Sequence, residues 1–588
     1  MTDHHDAWNP GLTSEIPARL MPEVTLYRPE NSTVSYAEAR EAADFCGLKP
    51  QEMVAFTVRR LVVHEVLIRV TADFYVPDGP AYEELGLNLR AMAARIIDGH
   101  ILPRINEVEA HFRALRLDAE KAIDTILARD IFERHKATPV APAPQGLIAR
   151  LLRRPAPATP PLPQLPEIAA LADWGHAAQV DADDLETACR AALQTIVGGI
   201  VGRRGRLMAD RALVQKLAAN LVCNGYGSRQ IGRFINPMIL EAAKAEGFRL
   251  LPYQAEPFIM NVKGASGAGK STIRPLQRDL AERLGIPWQD FALISPDYWR
   301  KYMLDYKSMG EDYKYAAMLT GQELEVIDKK LDGYIEEKAM RQEIPHLLID
   351  RFRFDSFSSV STTQTDGRLL SRFGATVFLF FVITPPPQTV ERAWRRGIDT
   401  GRYKAVDDLL YHNIEAYTGM PQLFFSWVNK ERQKIHFEFL DNDVPYGQRP
   451  KTAAFGWNGQ ITILDPDCMQ RLSRYKHVNV DAHRAEDVYL PPTGSEPDML
   501  TECIRNVPEV LIADPEDMAV KVRFQNGRCT YIEPGYAGAL PPSLTSLANA
   551  ADSGQTGRVA SPRPAPIDAA YEGRFIVGAS AASVGRPG

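Results

Sequence analysis

The sequence predicts an α/β protein in which a parallel sheet is covered by helices, with helical domains before it and a small α+β appendage after it. Two observations carry this prediction. Between residues 251 and 444, near-continuous apolar runs alternate with segments of helical periodicity, as in buried parallel strands joined by helices. Much of 31–250 instead places apolar residues at three- and four-residue spacings, which predicts helices alone.

Composition bounds the class of protein. A chain of 588 residues is too long for one core, so several domains are expected. Its formal net charge of -6 gives no overall attraction to nucleic acid or to an anionic membrane. The six cysteines form no C-x-x-C pair, which argues against a disulfide framework and a zinc site. Without a cleavable signal peptide or a long apolar run, the sequence predicts a cytoplasmic protein with no membrane partner.

Changes in composition along the chain predict seven segments. Residues with no clear period, or rich in Ala, Ser, Pro and Gly, are predicted to be disordered, and a proline-rich stretch is predicted to be an extended linker. The segments are a disordered 1–30, a helical domain at 31–136, the linker at 137–166, a helical domain at 167–250, the α/β domain at 251–444, the appendage at 445–534 and a disordered tail at 535–588.

Individual strands are predicted from short apolar runs. In the α/β domain these are the run that begins at Phe258, then FALIS, HLLID, GATVFLFFVI and KIHFEFL. In the appendage they are ITIL, KHVNV and the pair VKVRFQ and RCTYI. Asn526-Gly527 separates the last two, and Asn-Gly between alternating runs predicts a tight hairpin.

A glycine-rich turn follows the first predicted strand. Residues 264–271, GASGAGKS, fit G-x-x-x-x-G-K-[ST] at every fixed position. Small residues let successive backbone N–H groups surround a phosphate, Lys270 is expected to reach the β- and γ-phosphates, and the Ser271 hydroxyl is expected to bind Mg²⁺. The helix predicted next would direct its N-terminal dipole at the same anion. The predicted nucleotide-binding residues are Gly264, Ala265, Ser266, Gly267, Ala268, Gly269, Lys270, Ser271 and Thr272; the alternative is an ordinary strand-to-helix turn.

Carboxylates follow two of the later strands, where ligands collect in an open parallel sheet. Asp297 comes just after FALIS and is expected to accept a proton from an acceptor hydroxyl, with Arg300 holding a substrate phosphate. The alternative is that Asp297 only caps the next helix. Asp350 ends HLLID, where a carboxylate is expected to bind Mg²⁺; the alternative is an acid that faces solvent.

Arginines accumulate beyond these strands. Arg351 and Arg353 follow Asp350 and are candidates for contact with the acceptor or the nucleotide. A mobile segment after the fourth strand is expected to bring guanidinium groups to a transferring phosphoryl group, although a solvated helix face has the same composition. Its arginines are Arg392, Arg395, Arg396 and Arg402.

Together these motifs resemble the zeta-toxin family of P-loop kinases. The resemblance covers about a third of the chain, residues 258–440, and is carried by GASGAGKS, Asp297 with Arg300, Asp350, Glu391-Arg392 and Gly401-Arg402. It implies transfer of the γ-phosphate of ATP or GTP to a sugar hydroxyl of UDP-N-acetylglucosamine, and an antitoxin or other regulatory partner. By the same resemblance Lys270 and Ser271 serve the phosphates and the metal, Asp297 is the base, and Arg392 or Arg402 clamps phosphate.

One departure leaves the acceptor open. The family tends to have an acid followed by Gly, Thr and a nearby Arg, whereas this chain has Asp350-Arg351-Phe352-Arg353. The Asp-x-x-Arg element is also similar to that of polynucleotide 5′-kinases, although the net charge does not favour a nucleic-acid partner. A third hypothesis is a nucleotide-gated interaction module without turnover.

Overall fold

The computed structural model describes residues 5–79, 83–133, 165–177, 184–351, 370–445, 447–491, 496–536, 564 and 567–580. The chain forms two compact units. The helical unit consists of Ala18–Leu67 and Ala93–Glu246, and the sheet unit consists of Met1–Pro17, Ile68–Met92 and Gly247–Gly588.

Eight helices are described in the first part of the chain, and the unit boundaries fall within two of them, α2 and α3. Ser35 and Glu38 start the first helix with reciprocal side-chain and backbone hydrogen bonds, and Gly47 ends it at a φ of 69°. The helices are α1 (Tyr36–Cys46), α2 (Val58–Asp73), α3 (Glu84–Ile96), α4 (Ile105–Leu127), α5 (Pro166–Ala177), α6 (Leu185–Arg204), α7 (Arg211–Val222) and α8 (Ser228–Glu246).

Most of the two predicted helical domains lies in this one unit, where α4 packs against both α6 and α7, although Ile68–Met92 belongs to the sheet unit. Ala119 on α4 and Cys189 on α6 are fully buried. Arg116 on α4 donates to Asn220 on α7 over 3.0 Å. The prediction that 137–166 separates two helical domains is therefore wrong, because helices from before and after it pack together. Nearly all of that predicted linker lies outside the described residues.

Within the described residues, ten strands form one mixed sheet in the sheet unit, in the order β10-β9-β8-β7-β6-β5-β4-β1-β3-β2. The strands are β1 (Phe258–Lys263), β2 (Phe291–Ile294), β3 (His346–Asp350), β4 (Thr376–Ile383), β5 (Lys434–Asp441), β6 (Lys451–Trp457), β7 (Gln460–Ile463), β8 (Glu509–Ala513), β9 (Val520–Gln525) and β10 (Arg528–Ile532).

The first five strands are the ones that the apolar runs predict, and all of the pairings among these five are parallel. They are almost completely buried, and helices flank them, so the α/β prediction is confirmed at this level. The accompanying helices are α9 (Arg274–Arg283), α10 (Arg300–Met303), α11 (Ala316–Leu319), α12 (Gly321–Met340), α13 (Pro386–Thr400) and α14 (Val406–Val428), followed by α15 (Pro466–Arg474), α16 (Met499–Asn506) and α17 (Ala569–Glu572).

The predicted appendage continues this sheet. β6 pairs antiparallel with β5, with Phe437 opposite Gly456, so the edge of β5 is covered. The β9–β10 hairpin is confirmed, and both residues of its Asn526-Gly527 turn have positive φ. The strand predicted at KHVNV is wrong, since only an isolated bridge at Val478 forms there.

Two predictions of disorder need correction. Between residues 5 and 30, Leu20, Val24 and Leu26 are buried. In the predicted tail, Ile576 and Val577 are completely buried against the sheet unit; much of the remaining tail lies outside the described residues. Buried apolar side chains fix both segments, although neither has a regular period.

Candidate active-site cleft

The order of the strands creates a crevice beside β1. The connection that leaves β1 leads to β2 on one side, whereas the connection that leaves the neighbouring β4 leads to β5 on the other side. Ligands bind at such a switch point, outside the carboxyl ends of the strands. A cleft of about 1890 Å³ lies here, and all of the described residues that line it belong to the sheet unit.

Most of the predicted site residues meet in this cleft. Those that line it are Ser266, Gly267, Gly269, Lys270, Ser271, Thr272, Asp297, Arg300, Asp350, Arg392 and Arg402. Ala265 and Ala268 are instead fully buried, and Gly264 is also buried. Arg353 lies outside the described residues.

The turn between β1 and α9 requires glycine at two positions. Gly267 has a φ of 82°, and a Cβ atom there would lie 2.4 Å from the Thr389 carbonyl oxygen. Gly269 has a φ of 90°, and its Cβ atom would lie 2.6 Å from Nδ2 of Asn442. Left-handed backbone and close approach both exclude a side chain at these positions. The two glycines therefore let the turn lie close to Thr389 and Asn442.

Hydrogen bonds from the ends of β4 and β5 hold this turn in place. The Thr384 hydroxyl donates to the Ala268 carbonyl over 2.9 Å, and Nδ2 of Asn442 donates to the same oxygen over 2.8 Å. The predicted helix begins only after a 3₁₀ turn, Lys270–Ile273.

Lys270 folds back over the turn. Its Nζ donates to the carbonyls of Gly264 and Ala265 over 3.0 Å each. Burial lowers the pKa of Lys270 to about 8, although the carboxylates of Asp350 and Asp297 act in the opposite direction. The ammonium group thus lies within reach of an anion bound at the turn.

A hydroxyl and a carboxylate stand together beside the turn. The Ser271 Oγ donates to Oδ2 of Asp350 over 2.8 Å, and the side chain of Asp350 is only 6% exposed. Arg274 on α9 lies 3.5 Å from the same oxygen and holds the carboxylate. Asp350 is therefore not a solvent-facing strand-end acid.

These two oxygen donors fit Mg²⁺, which prefers a few protein oxygens together with water and substrate phosphate. The described residues contain no group of three or more His, Cys, Asp or Glu side chains suited to a metal. The two protein oxygens therefore suit a metal that the substrate also helps to hold. They do not form a closed cage of protein ligands.

Asp297 faces two arginines. Its carboxylate accepts from Nε of Arg300 over 3.0 Å and forms an ion pair with Arg402. Burial raises the pKa of Asp297, but Arg402 and Arg300 outweigh this and hold the pKa well below its usual range. The carboxylate is 36% exposed and ionised at neutral pH. It provides no cap for α10, whose N-cap residue is Trp299.

The predicted arginine segment is a regular helix, α13, followed by a turn. Arg402 comes directly after the left-handed C-cap, Gly401, and reaches Asp297. Arg392 donates to the backbone carbonyls of Asn442 and Val444 over 2.7 and 3.2 Å. Of the two arginines predicted to clamp phosphate, Arg402 thus pairs with Asp297, the predicted base. Arg392 instead connects α13 to the chain beyond β5.

Other predicted residues have internal partners as well. Nη1 of Arg300 donates to Ala317 O and to Thr320 Oγ1 over 2.6 and 2.9 Å, which fixes α10 relative to α11. Arg351 is paired with Asp328 and Asp332 of α12 over 2.8 and 2.7 Å, which anchors the chain just after Asp350.

One wall of the cleft was not predicted from the sequence. Asp78 and Glu83 line it, although both come from a stretch predicted as part of a helical domain. Arg278 on α9 pairs with Asp78 over 2.5 Å, and the Trp288 indole donates to the same carboxylate over 3.3 Å. Only tertiary contacts bring this segment to the sheet.

Lys404 and His412 also line the cleft, although neither was predicted as a site residue from the sequence. Nζ of Lys404 lies 2.5 Å from Nδ1 of His412, and Asp408 contacts both side chains. Burial lowers the pKa of His412 to about 2, and the charges of Lys404 and Lys270 act in the same direction. A short-range sequence motif does not identify such a pair.

Comparison of the chain with models of known families, with curated proteins and with solved structures finds no match. Among the helices of the described residues, none has the combined length and apolar character that crossing a membrane requires.

Proposed function

We propose that the chain is a kinase of zeta-toxin type that transfers the γ-phosphate of ATP or GTP to a hydroxyl group of a small molecule. One observation carries the proposal: the glycine-rich turn with Lys270 and the ionised carboxylate of Asp297 line the same cleft. A phosphate-binding turn and an acceptor base in one cleft are the minimum that phosphoryl transfer requires.

At the nucleotide end of the cleft, separate groups would bind the phosphates and the metal. Backbone N–H groups of 264–271 would surround the phosphates, and Lys270 would exchange its carbonyl partners for phosphate oxygens. Ser271 and Asp350 would hold Mg²⁺, which neutralises phosphate charge when bound. Their present hydrogen bond of 2.8 Å keeps both oxygens in one place.

At the acceptor end, Asp297 would accept a hydrogen bond from the substrate hydroxyl and orient it toward the γ-phosphorus. The hydroxyl oxygen forms a bond to phosphorus, the bond from phosphorus to the β–γ bridging oxygen breaks, and the nucleoside diphosphate leaves. The hydroxyl proton passes to Asp297. A carboxylate of low pKa suits a loose transition state, in which orientation matters more than early deprotonation.

Arg402 would stabilise the transferring group. Its guanidinium already neutralises Asp297, so it stands where negative charge from the base and the phosphoryl group meets. Arg395, Arg396 and Lys404 also line this part of the cleft. Their positive charge favours an acceptor that is itself anionic, and a nucleotide sugar such as UDP-N-acetylglucosamine is the first to test.

The test is transfer from γ-labelled ATP with Mg²⁺ to UDP-N-acetylglucosamine, to a 5′-hydroxyl oligonucleotide, or to no added acceptor. Lys270→Ala is the blank, and Lys307→Ala, which changes an exposed lysine of the same unit, is its matched control. Label in the nucleotide sugar with wild type and Lys307→Ala, but not with Lys270→Ala, is the expected result.

The other outcomes separate the remaining hypotheses. Label in the oligonucleotide, lost steeply as salt is raised, would replace the small-molecule acceptor by a polynucleotide end. Tight ATP binding with no labelled product in any arm would favour a nucleotide-gated module.

A further inference from the structure

The arginine helix α13 has two distinct faces. Arg392, Arg395, Arg396 and Asp399 are spaced as i, i+3, i+4 and i+7 and line the cleft. The opposite face, with Val390 and Ala393, is buried in an apolar cluster. Whatever packs on this second face determines where the cleft arginines stand.

Residues near the start of the described chain pack on that second face. Ala7 is buried in the same cluster, and Trp8 packs against it. The Trp8 indole also donates to Oε1 of Glu391 over 2.8 Å. Asp6 preorganises this contact, because its Oδ1 accepts from the backbone N–H groups of Trp8 and Asn9 over 2.8 Å each.

The same segment reaches the turn that follows α13. Leu12 is buried against Tyr403 and Ala405. Tyr403 in turn packs on α13, because a Cβ atom on Gly397 would lie 2.5 Å from its ring. The two neighbours of Tyr403 in the chain are Arg402 and Lys404, which both line the cleft.

Two polar contacts complete the attachment. Nζ of Lys314 donates to the Pro10 carbonyl over 2.7 Å, and the same ammonium lies 5.5 Å from the centre of the Tyr403 ring. The Ser14 hydroxyl donates to Asp407 in the first turn of α14. Residues 5–17, the tether segment, therefore join α13, the 401–405 turn and the start of α14.

We propose that the tether segment is a positioning element of the active site: Trp8 and Leu12 hold α13 and the 401–405 turn so that Arg402 meets Asp297. The contacts of Trp8 and Leu12 are features of the packing, whereas their importance for turnover rests on the proposed kinase function. Thr384 and Asn442, at the ends of β4 and β5, hydrogen-bond to the glycine-rich turn and hold it in addition to its close contact with Thr389 of α13. Release of the tether should accordingly affect transfer much more than nucleotide binding.

The test is the double variant Trp8→Ala/Leu12→Ala in the full chain. Its matched control is Glu15→Ala, in which an exposed side chain of the same segment is removed. Amide hydrogen exchange over 386–405 is measured first, because it requires no activity. Loss of the apolar contacts should raise exchange there by about tenfold or more while β1 and β4 keep their protection, and Glu15→Ala should leave exchange unchanged.

Kinetics then test the positioning role. We expect kcat of the double variant to fall by about 10- to 100-fold, the range for a small misplacement of catalytic groups, with the Kd for ATP within about threefold of wild type. Trp8→Phe retains the ring but loses the N–H donor to Glu391, so it should keep most of the activity. If the double variant does not fold, Leu12→Ala alone keeps the test decisive, because it removes the packing on Tyr403 and Ala405 and should still raise exchange over 386–405. Unchanged exchange there would overturn the tether.

The possible failures are distinguishable. Unchanged exchange over 386–405 in the double variant would overturn the tether, whatever the activity. Faster exchange with an unchanged kcat would overturn the positioning role. Absence of transfer by wild type under all conditions would refute the kinase function and with it the role in turnover, and the exchange data would then decide the contact alone.

Discussion

A comparison of two glycines tests whether the backbone of the 264–271 turn has the shape that phosphate binding needs. Gly267 and Gly285 both have left-handed backbone, with φ of 82° and 71°. A Cβ atom at Gly267 would lie 2.4 Å from the Thr389 carbonyl oxygen, whereas none of the surrounding atoms lies within 4 Å of a Cβ at Gly285. Alanine at either position bears the conformational cost of about 1–2 kcal/mol, but only Gly267→Ala adds a collision with backbone.

The collision should move the turn. Ordinary contact begins near 3.4 Å, so Gly267→Ala has to displace the turn or Thr389 by about 1 Å, a shift that can reduce function by about 100-fold. We expect the Kd for ATP to rise at least tenfold in Gly267→Ala and to stay within about twofold of wild type in Gly285→Ala. Titration calorimetry gives the Kd, and thermal unfolding gives the stability cost of each variant. Equal ATP affinity in the two variants would refute the assignment of the turn.

Two further predictions concern charge and packing. Burial lowers the pKa of Lys270 to about 8, so its positive charge is present below that pH and lost above it. The affinity for ATP should therefore fall between pH 7.5 and 9.5, whereas the affinity of Lys270→Arg should not change with pH in this range. ATP titrations at fixed ionic strength and varied pH check both expectations. A Cβ atom at Gly578 would lie 2.4 Å from Oγ1 of Thr452, so Gly578→Ala should lose about 1–3 kcal/mol of unfolding free energy. Gly333 lies in a helix with open space around it, so Gly333→Ala should gain a little unfolding free energy. Similar thermal unfolding midpoints for the two variants would contradict the packing at Gly578.

The sequence was sufficient for the parallel half of the sheet. Each of its strands is a compact apolar run, and burial on both faces leaves this local mark. The hairpin at Asn526 and Gly527 was predictable because the turn itself demands positive φ. The cleft positions of Lys270 and Asp297 were also predictable, since parallel strands end at one edge.

What the sequence did not reveal depends on long-range contacts. β6 reads KTAAFGW, with too little alternation to mark a strand, and it is a strand because β5 offers a free edge. Asp78 and Trp8 belong to stretches whose local pattern predicts a helical domain and disorder. Their contacts with Arg278 and Glu391 span 200 and 383 residues of chain, a separation that periodicity does not encode.

Substitution of Asp297 separates phosphate transfer from nucleotide binding most directly. Asp297→Asn keeps the shape of the side chain and removes its charge. We expect γ-phosphate transfer to the best acceptor to fall by about 100-fold or more, while the Kd for ATP changes by less than about threefold. Lys270→Ala, measured alongside, should lose both properties. Full transfer by Asp297→Asn would contradict the assignment of Asp297 as the acceptor base.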